Sequence, residues 1–135
     1  MRLRERILSG ILLLTAAVTA LYWWSYFTGG QVRVVDARWY SAFEDSFPIA
    51  DAWMAAWAAI AGIGLWSGRA WAARAGLLAG SALIYLACMD ITFNVENGLY
   101  AMLATSDPIR FELVVNLWSL VLGAVTIIFC WRRAA

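Results

Sequence analysis

The residues best suited to chemistry in this sequence lie at the end of a long apolar run. Asp90, Asn94 and Asn97 are spaced i, i+4 and i+7, so on a helix they share one face. Carboxylate and amide oxygens suit hard cations, and a carboxyl group in apolar surroundings can also serve as a general acid or base. An acid at the edge of a membrane is costly unless it is paired or wet, so this stripe is a candidate functional site.

The composition predicts that this stripe lies in a membrane protein. The chain has 135 residues, of which 64% are hydrophobic, and soluble domains usually run near 45–50%. Net charge is +1 and histidine is absent, which argues against a nucleic-acid partner and removes the commonest metal ligand. Cys88 and Cys130 form no C-x-x-C motif. We therefore expect no disulfide, and both thiols are expected to be small buried side chains.

Hydrophobic runs and start signals predict an all-α protein, an integral membrane four-helix bundle formed by residues 1–135 as a single domain. Glu44-Asp45-Ser46 lies just before Phe47-Pro48, and Ser106-Asp107 directly precedes Pro108. A proline after such polar residues is typical of a first helical turn. A short interfacial helix is also expected within Gln31–Ser46. The four helices are predicted at about 7–27, 48–66, 72–97 and 108–131.

The first predicted helix has a second interpretation as a cleaved signal peptide. Val18-Thr19-Ala20 has the small residues of a cleavage site. The apolar run continues to Phe27, however, which is long enough to span a bilayer. We therefore expect the helix to be retained.

Small residues predict where the helices pack closely. Ala55, Ala58 and Gly62 share one face of the second predicted helix, and Gly76 and Gly80 form a G-x-x-x-G pattern on the third. Small side chains allow two membrane helices to approach each other closely.

The arginines predict the orientation. Four spans place both termini on one side, and that side holds seven arginines against three on the other. The positive-inside rule then places both termini in the cytoplasm, and we expect the protein in the plasma membrane. The seven are Arg2, Arg4, Arg6, Arg69, Arg74, Arg132 and Arg133, and the three are Arg33, Arg38 and Arg110.

This orientation brings polar residues from all four helices to the outer level. Facing inward, they would form an acidic polar cavity that opens outward. The alternative is that they only hydrogen-bond one another and hold the helices together, or that Asp51 only complements its helix dipole. The candidate ligand-binding residues are Asp90, Asn94, Asn97, Asp51, Glu112, Asn116, Tyr22 and Tyr26.

Two motifs carry a resemblance. Phe47-Pro48-Ile49-Ala50-Asp51-Ala52-Trp53 and the run from Met89-Asp90 through Asn94, Glu96-Asn97-Gly98 to Tyr100 are similar to those of a group of small bacterial four-helix membrane proteins. The resemblance implies the fold and no particular reaction.

Three functions remain open from the sequence. The cavity could bind a cation, either Ca²⁺ or Mg²⁺ through oxygen ligands or an organic cation through Trp and Tyr, or another small polar ligand. The chain could instead be an accessory or assembly subunit with a membrane protein partner. It could also be a lipid-active or proton-relaying enzyme, with Asp90 and either Asp51 or Glu112 as acid and base. No cofactor is indicated, and the partner common to all three is the lipid bilayer.

Overall fold

The chain folds into long helices, as its hydrophobic runs predict. The computed structural model describes residues 3–29 and 33–134, so Arg2 and Gln31 lie outside the described residues. Within those ranges the structure has no strand, and a 3₁₀ turn at Leu99–Met102 joins the last two helices. The α-helices are α1 (Leu3–Phe27), α2 (Arg38–Glu44), α3 (Pro48–Trp66), α4 (Ala72–Glu96) and α5 (Asp107–Ala134).

Four of these stretches are long and apolar enough to cross a membrane. They are α1, the run Arg38–Trp66 that contains α2 and α3, α4, and α5. The predictions of an all-α protein and of four spans are therefore confirmed. Helix α3 begins and ends at the predicted residues, Pro48 and Trp66.

The first and last helices, α1 and α5, are longer than predicted at the ends that hold the chain termini. Helix α1 starts at Leu3 and α5 reaches Ala134. Arg133 donates to the buried Glu5, and this ion pair joins the two ends. Helix α4 ends one residue early, at Glu96. Gly98 follows with φ of +65°, a left-handed conformation that favours glycine and ends a helix.

The spans pack in the order α1, α3, α4, α5. Helix α1 packs along α3, α3 along α4, and α4 along α5. Among the described residues, α1 and α5 do not pack against each other along their length as the other neighbouring pairs do. They are joined by the Arg133–Glu5 pair at their terminal ends and by a hydrogen bond from Trp118 Nε1 to Thr15 Oγ1 of 3.3 Å. The side of the bundle between α1 and α5 is therefore the loosest.

The half of the bundle that holds the chain termini is closely packed, and we call it the packed half. A Cβ added at Gly80 would lie 2.9 Å from the carbonyl oxygen of Gly123, so the backbones of α4 and α5 touch there. Ser9 Oγ donates to the Gly62 carbonyl at 2.6 Å, which joins α1 to α3. The predicted small-residue contacts at Gly62, Gly76 and Gly80 are confirmed. The buried apolar side chains of this half include Leu8, Leu12, Ala58, Ala61, Leu65, Ala72, Ala75 and Ala79.

At the other end, α2 lies over the bundle, as expected for a short interfacial helix. The rings of Phe43 and Phe93 stack with centroids 3.6 Å apart. Tyr40, Leu99 and Ile109 form a small buried cluster beneath α2. These contacts hold α2 against the ends of α4 and α5.

The cysteines only partly match their prediction. Cys130 is buried, and a Cβ at Gly76 would lie only 2.3 Å from its sulfur. Cys88 is exposed, so the expectation that it is buried was wrong. It immediately follows the buried Ala87 on α4, and one residue turns a helix by ~100°, which points its side chain outward.

Candidate ligand-binding cavity

Two acids and two amides on α4 and α5 form a crossed set of hydrogen bonds. Asn116 Nδ2 donates to Asp90 Oδ2 at 2.6 Å. Asn94 Nδ2 donates to Glu112 Oε2 at 3.2 Å. Each helix thus contributes an acid and an amide four residues apart, and the antiparallel packing places each acid opposite the amide of the other helix. Asn94 Nδ2 also lies 3.5 Å from Asp90 Oδ2, so the two pairs are neighbours.

Helix α2 adds a phenol to this set. Tyr40 is buried and its hydroxyl donates to Glu112 Oε1. Glu112 therefore accepts from Tyr40 through one oxygen and from Asn94 through the other. These bonds tie α2, α4 and α5 together around one carboxylate.

A second pair of helices brings a third acid to the same region. Trp23 Nε1, on α1, donates to Asp51 Oδ2 at 2.8 Å, in the first turn of α3. Near the same end, Tyr26 Oη donates to Asp45 Oδ1 at 2.7 Å. Asp51 thus lies at the start of a helix, where the dipole favours an acid, and also faces a cavity.

The acids surround a cavity of about 440 Å³, a size typical of small-molecule sites. Four carboxylates line it, contributed by Glu44, Asp51, Asp90 and Glu112. Among the described residues of the lining, none is basic. No arginine of the described lining therefore lies beside these four acidic side chains.

Away from the acids the cavity becomes apolar. Its walls there are Leu14 and Val18 from α1 and Leu83 and Leu86 from α4. Five aromatic rings also line the cavity, and they belong to Tyr22, Trp23, Phe47, Phe111 and Trp118. The cavity is thus amphipathic, with an acidic end and an apolar end.

The eight residues predicted from the sequence have four different placements in the structure. Asp90, Asn94, Glu112 and Asn116 form the crossed set, while Asp51 and Tyr22 line the cavity beside it. Tyr26 is bound to Asp45. Asn97 is exposed at the C-terminus of α4 and donates to the Phe93 carbonyl, so the expectation that it continues the stripe was wrong. The helix ends before its side chain can turn inward.

Three residues of the site were missed from the sequence. Tyr40 and Glu44 are four residues apart on α2, and this spacing places them on one helical face once the short helix is recognised. Trp23 was not among the predicted residues, although its indole N–H is a donor that needs a partner when buried.

The site contains one buried acceptor without a donor. Asn94 is 0% exposed and its Oδ1 has no hydrogen-bond partner among the described residues. Its amide nitrogen lies beside the carboxylates of Asp90 and Glu112, which both line the cavity. An unpaired buried acceptor is uncommon because it costs free energy, so it indicates a missing donor.

The described residues include no group of three His, Cys, Asp or Glu side chains close enough together to hold a metal ion. The four carboxylates surround a wider space.

No protein-family model, curated protein or solved structure matches this chain. The resemblance to small bacterial four-helix proteins accordingly stays a prediction, and the chemistry of the cavity is the basis for assigning a function.

Proposed function

We propose that this multi-pass integral membrane protein binds a small organic cation in its cavity. The observation that carries the proposal is that Glu44, Asp51, Asp90 and Glu112 line one cavity without a basic residue among the described lining. Charges in a low-dielectric site attract an opposite charge far more strongly than they would in water. A cationic ligand therefore complements the cavity better than a neutral or anionic ligand of the same size.

The other lining groups favour an organic cation over a metal ion. Five aromatic side chains line the cavity, and aromatic faces attract ammonium groups through cation–π interactions. Ca²⁺ prefers six to eight oxygen ligands at about 2.3–2.6 Å, and the carboxylates are not grouped in that way.

The proposal includes an orientation in the plasma membrane, with the termini in the cytoplasm and the cavity open to the outside. Its support is the excess of arginine at the end with the termini, where Arg69, Arg74, Arg132 and Arg133 flank the spans. Single cysteines at Ser106 and Ser67 in a Cys88→Ser, Cys130→Ser background test it. An impermeant maleimide should label residue 106 in whole cells and not residue 67, and the reverse labelling would invert the orientation.

Binding can be tested with benzylammonium and Ca²⁺ as probes in a neutral maltoside detergent. We expect benzylammonium to raise the melting temperature in a saturable way, because a ligand that binds only the folded state stabilises it. Ca²⁺ at the same concentration should raise it less. The variant Asp51→Asn keeps an acceptor for Trp23 and removes a charge, so it should reduce the shift.

Glu96→Gln is the matched control, since Glu96 is an exposed acid on α4 outside the cavity lining. It should leave the shift unchanged. Equal loss in the two variants would mean that the probe responds to overall charge, and a larger shift with Ca²⁺ would assign the cavity to a metal ion instead.

A further inference from the structure

The cavity opens on the bundle surface between α1 and α5. Val18 on α1 is 54% exposed and Val114 on α5 is 64% exposed, yet both also line the cavity. A residue that is both on the surface and in the lining marks the rim of an opening. Because α1 and α5 lie in membrane spans, this opening faces lipid.

The lining residues give the lower limit of the opening and the length of the cavity along α1. Trp118 and Thr15 both line the cavity, and their hydrogen bond joins α5 to α1 at its apolar end. On α1 the lining extends from Leu14 to Trp23. At a helical rise of ~1.5 Å per residue that distance is about 13 Å, measured along the membrane normal from the apolar walls to the acids.

We propose that the ligand is a single-chain alkylammonium amphiphile that enters from the bilayer between α1 and α5. This proposal rests on the proposed function and specifies its ligand. The ammonium group lies among the carboxylates and the aromatic rings, and the alkyl chain lies along the apolar walls and out through the opening. Charge complementarity selects the head, and the lipid-facing opening selects the chain.

The same lining disfavours a phospholipid as the occupant. A phosphate beside four carboxylates has no basic residue in the described lining to pair with. Like charges in an apolar site repel strongly, and a buried anion without a partner is costly. An amphiphile with a cationic head and no phosphate therefore fits this cavity better than a zwitterionic lipid.

The experiment uses dodecylammonium and benzylammonium as probes and blocks the opening with Val114→Trp. The wild type should bind both. The larger side chain at the rim should weaken dodecylammonium binding by about ten-fold, which is about 1.4 kcal/mol, and weaken benzylammonium binding clearly less. Val18→Trp blocks the opposite rim and should give the same result if either variant folds poorly.

Val121→Trp is the matched control. Val121 lies two turns from Val114 on α5, is 63% exposed and does not line the cavity. It should change the binding of neither probe. Equal weakening by Val114→Trp and Val121→Trp, or an unchanged dodecylammonium affinity in Val114→Trp and Val18→Trp, would overturn the inference.

Two further outcomes separate this inference from the proposed function. If dodecylphosphocholine competes for the site as effectively as unlabelled dodecylammonium, the choice of a phosphate-free ligand is overturned. The proposal of cation binding would remain. If the wild type binds neither ammonium probe, the proposed function fails together with the inference.

Discussion

The two halves of this bundle use opposite ways of joining helices. In the packed half, α4 and α5 touch through Gly80 and Gly123, and the buried side chains are mostly alanine and leucine. In the other half the same two helices are joined by Asp90, Asn94, Glu112 and Asn116. Longer polar side chains need more space between the axes than glycines do.

This difference explains how so short a chain contains a cavity. Close contact at one end fixes the register of α4 against α5, and the polar pairs then keep the other end apart. Helices α1 and α3 repeat the arrangement, with Ser9 against Gly62 below and Trp23 bonded to Asp51 above. The packed half is therefore expected to control stability, and the polar half to control binding.

The largest effect should come from filling the glycine contact. A Cβ at Gly123 would lie 2.8 Å from the carbonyl oxygen of Gly80, and backbone cannot move aside without separating the helices. We expect Gly123→Ala to lower the free energy of unfolding by about 3 kcal/mol, near the upper end of typical overpacking costs. Thermal unfolding in a neutral detergent measures it.

Gly10→Ala is the control for that substitution, because a Cβ there meets nothing within 4 Å. Alanine is a better helix former than glycine by up to about 1 kcal/mol, so this variant should be as stable as the wild type or more so. Equal destabilisation by both substitutions would show that the contact between α4 and α5 is not the cause.

A substitution in the polar half should lower the free energy of unfolding by a smaller amount. Asn94→Ala removes the donor to Glu112 and its neighbour Asp90, and leaving buried acceptors without a donor costs about 2 kcal/mol. Asn97→Ala removes only an exposed bond to the Phe93 carbonyl. It should stay within about 0.5 kcal/mol of the wild type. Similar values for the two variants would remove the distinction between the crossed set and the helix end.

Loss of the ion pair between the two terminal ends should lower the free energy of unfolding by less still. Arg133→Ala leaves the buried Glu5 without its partner. Because the arginine side chain is partly exposed, we expect a loss of only about 1 kcal/mol. Arg132→Ala is the control, since Arg132 is an exposed neighbour without such a pair. A double variant that also carries Glu5→Gln should recover part of the loss, and no recovery would count against the pair.

The smallest effect on stability is expected from a substitution of Cys88. Its side chain is exposed toward lipid, whereas Cys130 packs against Gly76. Cys88→Ser should change stability by no more than about 0.5 kcal/mol. A small membrane-permeable maleimide should modify Cys88 well before Cys130 in the folded protein, and mass spectrometry of intact protein at intermediate times would detect the reverse order.

Much of the fold follows from the sequence because lipid imposes simple rules. Each span is an apolar run of sufficient length, and Pro48 and Gly98 mark boundaries through backbone geometry alone. The ion pair between Glu5 and Arg133 was not predicted, because it joins two ends of the chain that no local pattern connects.

The candidate site is predictable only where helical spacing determines it. Asp90 and Asn94 share a face with each other, and Glu112 and Asn116 do the same, so their meeting follows from two periodic patterns. Tyr40 reaches Glu112 from a seven-residue helix beyond a loop, and its position depends on the stacking of Phe43 on Phe93. Asn97 fails for the opposite reason, since the helix that would orient it has already ended.

The most direct test of cation binding is an equilibrium titration with benzylammonium. Wild-type protein and the double variant Glu44→Gln, Asp51→Asn should be compared at equal concentration in the same neutral detergent. The account predicts saturable binding by the wild type and an affinity at least about ten-fold lower in the variant, because two of the four carboxylates of the lining are neutralised. An affinity unchanged by the double substitution, or no saturable binding by the wild type, would contradict it.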